Sequence, residues 1–457
     1  MLEILSSPPK KTLGNSIYFI SLGCPRNRVD TEVMLGILLK AGYGVSETLE
    51  EADYIVINTC GFLESAREEG IETIQEVYDC KKKGAKVLVT GCMVQSHKQV
   101  ILDHFPNVDG LLGSGDVGKV LEAIRSHEPT DMVSDAKSYL EAGEVPRTLS
   151  TPNHYAYLKI AEGCKKRCSY CIIPQIKGGL KSKPIEQIVK EFNALLQAGV
   201  KEVILIAQDL GDWGKDLGYK RSLGLVEVLK KLGEIPGEFW IRLLYLYPDE
   251  ITEELIEVIK NDPRICRYLD MPIQHVNDQM LKAMHRKTTK DEIYATVKKV
   301  KEQLPNMTLR TSLIVGFPGE TEQEFKELKS FVKEGWIDHI GIFPYSKEPG
   351  SFAAMLPDQI DEKVKLKRQR ELAKIQLKNV EKMHRKTVGK VLRVLVEGYH
   401  PETDLLMYGR TEGQCPEIDG MVIINDGRAV TEFGTWYPVE ITEIAGYDLV
   451  GRVLPNM

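Results

Sequence analysis

Between residues 154 and 360, six short apolar runs recur at the spacing of a β/α repeat. They are AYLKIA (156–161), EVILIA (202–207), WIRLLY (240–245), CRYLDM (266–271), LRTSLIV (309–315) and HIGIFPY (339–345). Helical stretches near 184–198, 222–233, 252–260, 277–304 and 321–334 separate them. Runs apolar on both faces fit a parallel sheet covered by helices, because parallel strands need crossover connections. Six repeats predict a partial (βα)6 barrel, six-eighths of the closed form. Such a barrel leaves a flank open, which suits a macromolecular substrate.

The flanking segments have different textures. Up to residue 126, the runs IYFIS (17–21), YIVIN (54–58) and KVLVT (86–90) alternate with helical spacing at 27–41 and 64–83. This predicts an open parallel α/β sheet domain over 1–126. Residues 127–153 lack apolar periodicity and read as a linker. Residues 361–387, with ten Lys/Arg against four Asp/Glu, read as a charged connecting helix with a mostly solvated face. From 388 to 457, short β runs punctuated by Gly predict a small five-strand antiparallel barrel. Its five Lys/Arg and eleven Asp/Glu give it a charge of −6. The whole chain of 457 residues is also at −6, which gives no global case for nucleic-acid binding. With no apolar run of membrane length and no leader-type start, the expectation is a cytoplasmic protein with no membrane contact. Nine cysteines then read as ligands or free thiols rather than disulfides.

Three of those cysteines, Cys164, Cys168 and Cys171, fall in EGCKKRCSYCIIP, directly after the first strand of the partial barrel. Thiolates on one loop can hold several irons of a cube, and three leave one iron open to a small molecule. A zinc knuckle would want a fourth Cys or His at matching spacing, and none is near. Buried thiols by coincidence do not fit three cysteines in eight residues beside Lys165, Lys166 and Arg167. The spacing CxxxCxxC, with Tyr170 before the last cysteine, resembles the radical S-adenosylmethionine superfamily. That resemblance implies that the open iron chelates S-adenosylmethionine. An electron from the cluster then yields a 5′-deoxyadenosyl radical.

Cys24, Cys60 and Cys92 each lie just past a predicted strand, in SLGC, NTC and TGC. Carboxyl ends of parallel strands share one edge, so these three converge despite separations of 36 and 32 residues. One such cysteine would read as a small buried hydrophobe. Three in equivalent places predict a second three-cysteine cluster, whereas Cys80, Cys266 and Cys415 lack that placement and read as structural. The arrangement covers nearly the whole chain and resembles the methylthiotransferase family, whose members have a three-cysteine domain, a radical core and a TRAM domain. The family implies two 4Fe-4S clusters and two uses of S-adenosylmethionine. One molecule methylates a sulfur and the other makes the radical. It also implies an electron donor such as a flavodoxin-type reductase.

The phrases SLGCPRNRVDTE, NTCGFLESAREE, YLDMPIQH and RTSLIVGFPGETEQEF resemble the RimO branch, which modifies the β-carbon of an aspartate in a small-subunit ribosomal protein near the decoding centre. The alternative is methylthiolation of an adenosine in tRNA, but that branch has QSGS where Gln274 to Asn277 stand here. An acidic C-terminal barrel is poorly suited to phosphates and better suited to a basic protein. The basic helix at 361–387 leaves a secondary contact with nucleic acid open. One departure is the text KGGLKSK (177–183), where the branch usually has arginines. Lys177 and Lys183 would hold an anion less rigidly than a planar fork.

Barrel strand ends single out further candidates. Gln208 and Asp209 follow the second strand, Tyr247 the third, Gln274 and His275 the fourth, Gly316 to Gly319 the fifth and Tyr345 the sixth. Gln208, Arg242, Arg310 and Gly316 are the candidate S-adenosylmethionine contacts. Strand alternation allows Arg242 and Arg310 either an inward placement or an outward salt bridge. Gly316 equally suits a tight turn, and His275 a hydrogen-bonded core position.

Overall fold

The computed structural model describes residues 4–5, 15–135, 138–140 and 145–455. Its first sheet is wholly parallel, in the order Gly44–Val45, Ser16–Ser21, Tyr54–Thr59, Lys86–Gly91, Gly110–Gly113, Thr130–Met132. The last of these falls inside the stretch expected to be a linker, because a three-residue edge strand of sequence TDM carries no periodic signal. Residues 136–137 and 141–144 of that stretch lie outside the described residues. Helices Pro25–Lys40, Glu64–Cys80 and Cys92–His104 cover the sheet. Two apolar clusters, around Met34 and Leu38 and around Ile74 and Val89, fill its two faces.

The central sheet is parallel, with its strands side by side in chain order: Tyr155–Lys159, Glu202–Ile206, Trp240–Leu243, Ile265–Asp270, Thr308–Val315, His339–Pro344. Apolar side chains on one face, including Leu158, Leu205 and Ile241, pack under helices such as Ile185–Gln197 and Leu223–Gly233. The helical stretch expected at 277–304 is two helices, Asp278–Ala283 and Lys290–Gln303. His285 takes a left-handed conformation (φ 56°), and Thr289 then begins the second helix with a capping box to Glu292.

An open sheet has two unpaired edges, and this chain covers both. At one, Arg147 donates to the Tyr157 carbonyl at 2.6 Å and is held by Glu32 and Glu191. Gly36 makes this approach possible, since a Cβ there would lie 2.7 Å from the Arg147 nitrogen. At the other, helix Glu362–His384 donates from Lys365, Gln369 and Gln376 to the carbonyls of Tyr345, Ile342 and Asp338. Its face is therefore not mainly solvated: Lys365, Arg368, Leu372, Gln376, Val380 and His384 are buried.

The C-terminal strands Val391–His400, Thr403–Arg410, Val422–Asp426, Asp448–Val453 and Thr435–Ala445 close into a barrel in that order. It departs from a fully antiparallel barrel in one place, where Val422–Asp426 and Asp448–Val453 run parallel. The 411–420 loop enters the face of the central sheet opposite its helices. There Cys415 joins Tyr157, Trp240, Cys266 and Tyr268 in one apolar cluster. Glu412, Glu417 and Asp419 bond Arg267, Tyr155, Tyr157 and Tyr268, and Glu397 pairs with Arg410. Part of the barrel's acidity is thus engaged by the chain's own side chains.

Candidate active site

In the first domain the structure places Cys24, Cys60 and Cys92 just past three adjacent parallel strands. Two glycines let them converge. Gly23 (φ 90°) has the Cys60 Cβ only 2.8 Å from where its own Cβ would stand, and Gly61 faces the Cys92 backbone at 2.8 Å. Buried Asn27 ties the loops together, donating to the Leu22 and Thr59 carbonyls and accepting from the Cys92 thiol at 3.4 Å. Burial pushes the Cys92 thiol up to about 12 and raises Cys60. Burial also acts on Cys24, but Arg26 and backbone N–H groups outweigh it and lower its pKa.

The second set sits on a hairpin whose arms, Ala161–Glu162 and Lys181–Ser182, pair antiparallel. Within it, Lys166 N–H donates to the Cys164 sulfur and Ile173 N–H to the Cys171 sulfur, each at 3.4 Å. Ser169 is anchored to the Met284 and Ala283 carbonyls. Burial lifts Cys164 to about 11 and Cys171 to about 12. Ile172 and Ile176, just after Cys171, pack directly on Cys92, so the two cysteine sets adjoin across the domain junction. Lys177 crosses that junction, pairing with Asp30 at 3.2 Å and Glu162 at 2.9 Å.

Beside Cys168 lies a cavity of about 460 Å³ lined by Lys166, Asp212, Tyr247, Arg286 and Thr288 among others. The Tyr247 hydroxyl is 3.6 Å from the Cys168 sulfur, and the Lys166 and Arg286 cations lie 3.5 and 3.9 Å from its ring centroid. Asp209, Asp212 and Glu250 form a trio spaced for a single ion. Lys166 and Lys215 already neutralise it. Among the described residues no cysteine set is that compact, which disfavours single-ion zinc and fits thiolates on separate corners of a cube. Arg286 has no carboxylate partner among the described residues, and the Gln208 Oε1 is buried without a hydrogen bond. Arg286, which lines the cavity, suits the carboxylate of a zwitterionic ligand such as the amino-acid end of S-adenosylmethionine, whereas Gln208 is not among the lining residues. Sequence reasoning passed over Arg286 because it expected an unbroken helix there.

The other candidates are held elsewhere. Arg242 bonds Glu202 at 2.5 Å and the Glu412 carbonyl at 2.8 Å, on the face that meets the C-terminal barrel. Arg310 pairs with Asp270 at 2.8 Å. Gly316 (φ 71°) leaves room for Lys365, whose Cγ would be 2.3 Å from a Cβ there, and its N–H donates to Glu320. His275 is a core residue that accepts from the Asn277 N–H, and burial lowers it to about 3. Lys183 is buried against Glu191.

Residues 16–113 match the uncharacterized protein family UPF0004, 158–332 the radical SAM superfamily and 388–454 the TRAM domain. The chain is 61% identical over 449 residues to the ribosomal protein uS12 methylthiotransferase RimO of Protochlamydia amoebophila, covering 98% of this chain and 94% of that one. To the protein of the same name in Bdellovibrio bacteriovorus it is 45% identical, over 96% and 97% of the two chains. Among solved structures, the radical S-adenosylmethionine methyltransferase TsrM of Kitasatospora setae shares the fold. Its TM-score is 0.53 at 14% identity, covering 72% of this chain and 75% of that one. A three-cysteine loop set on a six-stranded partial barrel, with these matches, defines a radical S-adenosylmethionine enzyme. Within that class, the chain belongs to the RimO family of methylthiotransferases. The family's cofactors are 4Fe-4S clusters and S-adenosylmethionine.

Proposed function

We propose that the protein adds a methylthio group to the β-carbon of an aspartate in ribosomal protein uS12, using two molecules of S-adenosylmethionine. The observation that carries this reading is the adjacency of the two cysteine sets across one domain junction, with Cys92 packed on Ile172 and Ile176. Cys164, Cys168 and Cys171 would hold one cluster, and Cys24, Cys60 and Cys92 the other. Bound to the first cluster, S-adenosylmethionine supplies the 5′-deoxyadenosyl radical that opens an unactivated C–H bond.

The chain's own residues bind, orient and seal. Arg286 offers a charged group to the methionine end of the cofactor. Lys166, fixed by Asp209 and Glu250, stiffens the cysteine loop from within. Tyr247 covers Cys168 and limits water there. Exposed Lys165, Arg167 and Lys287 around the cavity favour an acidic electron donor of the flavodoxin type.

Mass spectrometry of ribosomal proteins and of digested tRNA, from cells with and without the gene, tests the reading. Loss of a methylthio mass on uS12 is expected, and loss on adenosine with uS12 unchanged would refute it.

A further inference from the structure

We propose that Arg26 holds the side-chain carboxylate of the target aspartate in the cleft between the two cysteine sets, and so selects an acid as substrate. This rests on the function proposed above. Arg26 lies in the first turn of the helix that follows Cys24, and its side chain bonds the Cys24 sulfur while also reaching the other domain. Its Nη1 donates to the Ala207 carbonyl at 2.8 Å, and its guanidinium carbon lies 4.8 Å from the Tyr245 ring centroid. Cys24 and Cys92 on one side and Cys171 on the other all feel its charge.

The charge balance around it is one-sided. Lys177 and Lys159 are paired with Asp30 and Glu162, Arg147 with Glu32 and Glu191, Arg310 with Asp270 and Arg28 with Glu417. Among the described residues, Arg26 has no carboxylate, although it is only partly exposed. Beyond the Cys24 sulfur and the Ala207 carbonyl its planar fork keeps further N–H donors, which match a carboxylate. The β-carbon of aspartate is directly bonded to the carboxylate carbon. A carboxylate gripped here therefore places the reacting carbon between the radical source and the sulfur source. Adenosine offers no such anion.

The rival role for Arg26 is to offset thiolate and cluster charge without touching substrate. Reconstituted enzyme, wild type, Arg26→Gln and Arg26→Lys, is assayed on small ribosomal subunits carrying uS12 or its Asp→Asn variant at the target. Iron content and 5′-deoxyadenosine are followed in parallel. Wild type is expected to favour aspartate by about 100-fold or more in kcat/KM, the scale of a desolvated charge pair. Arg26→Gln should bring that ratio close to one with iron content retained. If Arg26→Gln loses iron, Arg26→Lys carries the test through a raised KM for the aspartate substrate. An intact preference in Arg26→Gln, or an unchanged KM in Arg26→Lys, overturns the assignment. Wild type that leaves both subunits unmodified refutes the parent function, and the role of Arg26 falls with it.

Discussion

Burial opposes ionisation at Cys92 and Cys171, each pushed up to about 12, and at Cys164, pushed up to about 11. Iron binds the thiolate, so each must lose a proton on loading. Apparent iron affinity should therefore rise with pH across 7 to 9, by up to about tenfold per unit for each proton released. Iron titrations at several pH values, under anaerobic conditions, check the sign; a flat profile would contradict it. Replacing Cys164, Cys168 and Cys171 together with alanine should halve the iron load and abolish 5′-deoxyadenosine formation, measured by chromatography. The equivalent change at Cys24, Cys60 and Cys92 should spare that product and end sulfur insertion. Lys177 joins the domains from a fully buried position, and Lys177→Met leaves Asp30 and Glu162 sharing Lys159 alone. A loss of about 3–5 kcal/mol is expected, the usual cost of breaking a buried pair, read from denaturant unfolding.

Helices and strands here are positioned largely by what closes their edges and ends. Gly61 allows the loop after Tyr54–Thr59 to touch the start of helix Cys92–His104. In Gly61→Ala, the methyl group meets backbone rather than a mobile side chain, so the loop must move and Cys60 with it. Iron at the first set should fall while 5′-deoxyadenosine formation persists. Helix Glu362–His384 shows the limit of periodicity as a guide. Its sequence is strongly charged and reads as solvated, yet Arg368 pairs with buried Glu320 and its neighbours seal the last strand. Polar side chains that bond backbone carbonyls are buried without being apolar, so no hydrophobic pattern announces them. The break at His285 is similar, since a single left-handed residue divides a stretch whose apolar spacing continues through it.

Across the whole molecule, the C-terminal barrel acts as the floor of the central one. Ending the chain at residue 387 would expose Trp240, Cys266 and Tyr268 and strand Arg242 and Glu202 without Arg410 and the Glu412 carbonyl. Such a truncation should associate or precipitate, seen as a shift in size-exclusion elution, rather than fold as a smaller active enzyme. This also recasts the acidity of that domain. Glu397, Glu412 and Asp419 turn toward the molecule's own interior, and exposed Glu417 bonds Arg28, Tyr155 and Tyr157, which weakens net charge as an argument about the substrate.

Apolar runs at β/α spacing, and cysteines at the ends of those runs, were enough to read the partial barrel and the two sets of three thiols from the chain alone. Both depend on local periodicity, which each segment carries within itself. The destinations of Arg242, Arg310, Lys177 and Gly316 were not readable, because a charged or small residue is assigned by whichever distant partner folding brings to it. The same holds for Arg26 and Arg286. Nothing within a few residues of either shows that it ends up beside thiols from another segment, without a carboxylate, and that placement exists only once the domains have closed on one another.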